Sequence, residues 1–256
     1  MIIDLNKNSF CLTCNIDRYK YLCECFKVVG LQPPKLFPGI HHPISGAEGC
    51  KIGHMSIIML ARCLCLPYTV VFEDDAYPRK DVIDKFNVLL EELESIDPNW
   101  GMMNLGRSGE ISFWDKDTEL FWAFNRTDSI RNSYKSKVKL VGNGFISIPK
   151  NSNGSHAYVI KKECYNEWLH SLAINKYSDI AMGQKNFTKH KVYWTKEMLF
   201  TTKQIDNNCM TSLGGSAPNR KVNLFIYPYN YNKNYMGVAS IFKEPPKGFV
   251  EELVKK

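Results

Sequence analysis

Residues 68–78 read YTVVFEDDAYP, and the rest of the chain is organised around them. Thr69, Val70, Val71 and Phe72 are β-branched or aromatic and carry no charge, which is the composition of a strand buried on both faces of a parallel sheet. Glu73, Asp74 and Asp75 follow at once, where such a strand leaves the sheet, and open α/β sheets bind ligands at the carboxyl ends of their strands. Carboxylates crowded there repel one another unless a cation joins them. Mg²⁺ or Mn²⁺, hard ions with oxygen ligands, would relieve that repulsion and keep positions open for a diphosphate. A solvated acidic turn is the other reading of the same residues. On an extended strand residues 73 and 75 point one way and 74 the other, so all three are not expected to share one ion. Asp75 is the expected direct ligand, with help from Asp74.

The 256 residues and the formal charge of +7 suit a soluble α/β protein with an anionic ligand, such as a nucleotide, an acidic glycolipid or a membrane surface. No nucleic-acid partner is expected. Nine cysteines are spread unevenly, and no secretory leader opens the chain, so reduced cysteines and a cytoplasmic location are expected. Cys11, Cys14, Cys23 and Cys25 are poorly spaced for zinc, because FCLTC has no glycine for a ligand-bearing turn and Cys23 and Cys25 diverge on a helix. The apolar run of residues 55–66 is broken by Arg62 and is too short to cross a bilayer. One domain, 1–240, and a Pro-broken basic tail, 241–256, are expected. The tail is a candidate for peripheral membrane contact, a solvated tail being the alternative.

Phe10 to Cys14 reads as a strand, Asp17 to Gly30 as a helix with an Asp cap and a closing glycine, and Leu36 and Phe37 as a short strand between prolines. A helix starting at Ser45 or Gly46 is apolar nearly all round from Ala47 to Leu66, with Glu48 and His54 as polar exceptions. An amphipathic helix follows over 80–95, then a strand over 100–105 that opens on Gly106 and Arg107. This alternation predicts an α/β fold with a mostly parallel central sheet flanked by helices. Residues 108–139, rich in aromatics such as Trp114, Phe121, Trp122 and Phe124, predict a hairpin or folded loop. A strand over 156–160 and a helix through Leu172 come next, with Asp179 beyond. The Gly-containing stretch ending in Arg220 could hold an anion or be a surface loop.

The order of these pieces resembles glycosyltransferase family 25, which contains lipopolysaccharide and lipooligosaccharide galactosyltransferases. The resemblance rests on Asp17-Arg18 after the first strand, AEGCKIGHMSI with Glu48, Gly49, Cys50 and His54, VVFEDDAYP, and GSHAYVIKK followed by Asp179. It departs at Gly53, where the family usually has Ser. It implies a GT-A fold with a Rossmann-like nucleotide-binding half, a UDP-sugar donor, a divalent metal and inversion at the anomeric carbon.

An inverting transfer passes through an oxocarbenium-like state, needs its leaving diphosphate neutralised, and needs a base on the acceptor hydroxyl. The candidate base is Asp179; a helix cap or surface acid is its alternative role. Arg18, His54, Glu73 and Asp74 are candidates for contacts with the nucleotide sugar, and Asp75 and Asp74 for the metal. His190 and His156 are further candidates for the metal shell. The expected acceptor is a glycan or glycolipid hydroxyl, as in lipopolysaccharide or surface-glycan assembly. A metal-dependent phosphoesterase is a rival, though the six histidines lack the clustering such sites use. The other rival is a catalytically degenerate transferase fold that binds nucleotide or glycan.

Overall fold

The computed structural model describes residues 2–43, 45–106, 112–115, 120–123, 136–147, 154–195, 199–204, 224–226 and 241–242. β1 (Ser9–Thr13) leads into α1 (Ile16–Val28), which starts where Asn15, in extended backbone, accepts hydrogen bonds from the N–H groups of Asp17 and Arg18. Asn15 is therefore the cap in place of the expected Asp17, whose charge instead sits in the first turn where the helix dipole favours it. Gly30, at φ +77°, closes the helix as expected. β2 (Lys35–Pro38) is followed by α2 (Gly46–Cys63), capped by the Ser45 side chain, and then by β3 (Tyr68–Glu73). β4 (Ala76–Pro78), α3 (Val82–Ile96) and β5 (Trp100–Asn104) complete the first half.

The middle segment supplies the expected hairpin. β6 (Ser112–Asp115), β7 (Leu120–Ala123), β8 (Ser136–Val141) and β9 (Phe145–Ser147) pair antiparallel in succession. β10 (Ala157–Lys161), α4 (Tyr165–Ile174), α5 (Ser178–Ala181) and β11 (Lys191–Thr195) follow. β12 (Phe200–Gln204), β13 (Leu224–Ile226) and β14 (Ile241–Phe242) join β4 in a four-stranded sheet. Residues 241–242 of the expected tail form β14, while its residues 243–256, with Phe124, Arg107 and Arg220, lie outside the described residues.

The main sheet has ten strands in the order β2-β1-β3-β10-β5-β11-β9-β8-β7-β6. β1 pairs parallel with β2 and β3, and β5 with β11, while every other neighbouring pair in this sheet is antiparallel. The expected mostly parallel sheet is thus corrected to a mixed one. The reason is β10: entering from the antiparallel segment, it runs opposite to both neighbours, although β2, β1, β3, β5 and β11 all point the same way.

Side-chain alternation sorts the core into two layers. Cys11, Val70 and Phe72 face Leu22 and Phe26 of α1 and Phe86, Leu90 and Leu93 of α3. Phe10, Leu12 and Val71 face Ile57, Ile58 and Ala61 of α2 and Trp168 and Leu172 of α4. Helices thus cover both faces of β3, as its uninterrupted apolar run predicts. α2 approaches β1 closely because Gly53 has no side chain: a Cβ there would lie 2.6 Å from Leu12 Cδ1.

Candidate functional site

Glu73 is the last residue of β3 and the chain turns at Asp74 and Asp75, so the three acids emerge at the carboxyl edge of the sheet as expected. Strand alternation stops at the turn. Asp74 and Asp75 consequently face the same partner, a correction to the pattern in which 73 and 75 share a direction. Arg18, in the first turn of α1, places Nη2 2.6 Å from Asp74 Oδ1 and 3.6 Å from Asp75 Oδ2. Thr13 Oγ1, at the end of β1, donates to Asp74 Oδ2 at 2.5 Å. Both oxygens of Asp74 are thereby engaged.

Asp75 differs. Its Oδ1 is buried without a hydrogen-bond partner. Burial and the charges of Glu73 and Asp74 push its carboxyl well above the usual range, against the pull of Arg18. The Tyr77 hydroxyl close by is likewise buried and unpartnered.

Glu73 turns to the other side. Burial favours its neutral form, but His54 Nε2 at 3.2 Å and the Ser155 hydroxyl at 2.7 Å hold it ionised, with its pKa below the usual value. His54 is fully buried on α2, and its Nδ1 lies 3.0 Å from Tyr158 Oη, which accepts from Trp168 Nε1 at 3.2 Å. The imidazole thus links Tyr158 on one side to Glu73 on the other. Ser155 continues the chain to Ser178 Oγ at 2.9 Å, and Cys50 Sγ lies 3.8 Å from Ser178 Oγ.

Asp179, next to Ser178 at the start of α5, is thereby brought beside Glu73. Burial and the Glu73 charge raise its pKa to about 6, against hydrogen bonds from the N–H groups of Ile180 and Gly154. A carboxylate poised there can take or give a proton near neutral pH.

Arg18, His54, Glu73, Asp74, Asp75 and Asp179 therefore form one neighbourhood. Other candidates part from it. Glu48 pairs with Lys51 at 2.8 Å along α2. His190 precedes β11, whose first residue pairs with Trp100 at the start of β5, so it lies at the opposite edge of the sheet from the acids. His156 does lie near Glu73, with Nε2 3.5 Å from the Phe200 carbonyl oxygen, Nδ1 buried and unpartnered, and its pKa lowered by burial to about 4. Thr13, Ser155 and Ser178 were not singled out from the sequence. Thr13 had a signal, since it ends the strand beside β3; Ser178 had none beyond adjacency to Asp179.

The cysteines at 11, 14, 23 and 25 are free thiols, three of them buried and Cys14 exposed. No helix among the described residues is long and apolar enough to cross a membrane.

No family model and no curated protein matches the chain. Among solved structures, A197 from STIV is similar over 76% of this chain and 83% of its own, at 11% identity and a TM-score of 0.39, a likeness too distant to carry an argument.

Proposed function

We propose that the chain is a metal-dependent inverting glycosyltransferase of GT-A type. It moves a hexose, galactose or glucose, from a UDP-sugar to a hydroxyl of a glycan or glycolipid. The observation that carries this reading is the unpartnered buried oxygen of Asp75 at the carboxyl edge of β3, beside two further carboxylates and Arg18. A carboxyl oxygen kept from water and left without a donor suits a hard cation, which would take the place of the proton that burial favours. Asp75 would hold Mn²⁺ or Mg²⁺, and Asp74 would join it once Arg18 turns aside. When bound, the ion supplies charge neutralisation for the leaving diphosphate.

The chain's own residues supply the rest. Arg18, released from Asp74, has a planar guanidinium that can pair with phosphate oxygens. Glu73 and His54, locked in their hydrogen-bonded chain, hold the end of β3 and the start of α5 in register and present the sugar with a fixed polar wall. Asp179 accepts the proton of the attacking hydroxyl, a role its raised pKa suits.

One observation favours the second reading, a binding module without turnover. Arg18 already neutralises Asp74 at 2.6 Å, which is the work a metal would do. Incubation of UDP-galactose and UDP-glucose with Mn²⁺ and released-UDP detection separates the two. Turnover lost in Asp75→Ala supports the transferase, and tight UDP binding without turnover supports the module. Absence of both sinks the proposal.

A further inference from the structure

At the opposite edge of the sheet from the acids, a second group of side chains converges. Cys164 lies in the turn before α4, Glu167 follows one helical turn later, and His190 lies in the loop before β11. One ligand atom from each lies within 4.8 Å of the other two. Glu167 is held on several sides: Oε1 accepts from the N–H of Thr188 at 2.8 Å, the Thr188 hydroxyl at 2.9 Å and the N–H of Lys189 at 2.7 Å. Its other oxygen, Oε2, faces His190 Nδ1 at 2.8 Å. Gly101 of β5 makes the room, since a Cβ there would lie 2.6 Å from His190 Cβ and 2.7 Å from Cys164 Sγ.

We propose that Cys164, Glu167 and His190 form a zinc site that ties α4 to the entry of β11, separate from the carboxylates of the candidate active site. A mixed sulfur, nitrogen and oxygen set suits Zn²⁺ better than Mg²⁺ or Ca²⁺. Tetrahedral zinc with bonds of about 2.0–2.3 Å sets its ligand atoms roughly 3.3–3.6 Å apart. The Glu167–His190 pair would open by about half an ångström, and Cys164 Sγ would close by at most somewhat more than an ångström. The three bonds to Glu167 Oε1 are the outer support that orients a ligating carboxylate.

Proton balance is simple. Burial keeps the Cys164 thiol protonated in the absence of metal, so binding releases that proton to solvent as the sulfur–zinc bond forms. With Nδ1–H donating to Glu167, His190 gives up that proton and takes one at Nε2, with no net change. Water fills the fourth position.

The competing group, Cys50, His54 and Glu73, is less suited. Both His54 nitrogens are committed, to Tyr158 and Glu73, and the Glu73 oxygen that faces His54 also accepts from Ser155.

The test is zinc stoichiometry after equilibrium dialysis, on the full chain carrying D75A, alone and combined with C164S, H190Q or C63S/C65S. Cys63 and Cys65 are exposed thiols, and their removal controls for adventitious metal on surface sulfur. In D75A, where the carboxylate site cannot add metal of its own, one equivalent of zinc is expected, as in D75A/C63S/C65S, falling at least tenfold when C164S or H190Q is added to D75A, each checked for folding by circular dichroism. Substituted cobalt should give a thiolate charge-transfer band that C164S lacks. Should C164S fail to fold, H190Q alone decides. Less than a tenth of an equivalent in D75A, or equal zinc when H190Q is added to it, overturns the site. D75A retains zinc whether or not the transferase reading stands, so the two fail separately.

Discussion

Arg18 and Asp74, separated by 55 residues of chain, stand 2.6 Å apart across the mouth of the candidate site, each less than a fifth exposed. The pair makes the acids compatible with a folded state in the absence of a metal. Removing one partner of such a pair leaves an uncompensated charge, and breaking a fully buried pair costs about 3–5 kcal/mol. Partial exposure here brings the expected loss for Arg18→Met down to roughly 2 kcal/mol. Thermal denaturation should show a lower Tm for the variant and a larger rise on adding Mn²⁺ than for the wild type. Equal Mn²⁺ responses would remove the competition between guanidinium and cation.

Asp75→Asn should raise stability while abolishing any nucleotide-sugar turnover. The folded state holds the Asp75 carboxyl above its ordinary pKa of 3.8, so protonation stabilises the native state. That stabilisation is complete below pH 3.8 and lost as pH rises toward the elevated value. The amide mimics the protonated form at every pH. Urea unfolding in chelator should therefore find the variant more stable than wild type at pH 8, with the gap closing toward pH 4. A destabilised variant at pH 8 would show that Asp75 is compensated after all.

Glu167 works in the opposite sense. Although burial opposes ionisation, His190 and the N–H groups of Lys189 and Thr188 lower its pKa from 4.5 to about 2. The folded state binds the proton less readily than the unfolded one. Its contribution is therefore present above pH 4.5 and disappears as pH falls toward 2. Without added zinc, the difference in unfolding free energy between wild type and Glu167→Gln should be largest near neutral pH and shrink below 4.5. A pH-independent difference would rule the carboxylate out as an ionised cap.

His54→Ala removes a donor from a buried carboxylate and opens space in α2. Leaving a buried polar group without its partner costs about 1–3 kcal/mol, and the lost imidazole packing adds to it. The expected loss is roughly 3 kcal/mol, measured by denaturant midpoint, and Glu73→Gln should reduce it in a double-mutant cycle. Additivity of the two changes would deny the coupling.

Gly53→Ser would place a side chain where α2 lies against β1. Its Cβ meets Leu12 Cδ1 at 2.6 Å, and overpacking of this kind costs about 1–3 kcal/mol. The loss should shrink in a Leu12→Ala background, where the methyls are gone. An undiminished loss there would point to the helix backbone instead.

Much of this was legible in the sequence, for particular reasons. The uncharged, β-branched run of β3 has the composition of a strand buried on both sides, and that reading places the acids after it at the sheet edge. The direction of the acids was not legible, because alternation holds only while the strand continues and the chain turns at Asp74. Nor was the reversal of β10, since a strand's own residues do not say which way its neighbours run. Asp179 joined the site through Ser178 and Ser155, residues whose value lies in contacts 23 and 82 positions away along the chain.

β10, from late in the chain, lies between β3 and β5, which come from its first half. Until residues 157–161 have been made, the facing edges of β3 and β5 have no strand between them. Assembly of the sheet therefore waits on long-range pairing, the kind that slows folding. During synthesis the acid-bearing strand is left with an open, sticky edge until β10 itself has emerged from the ribosome.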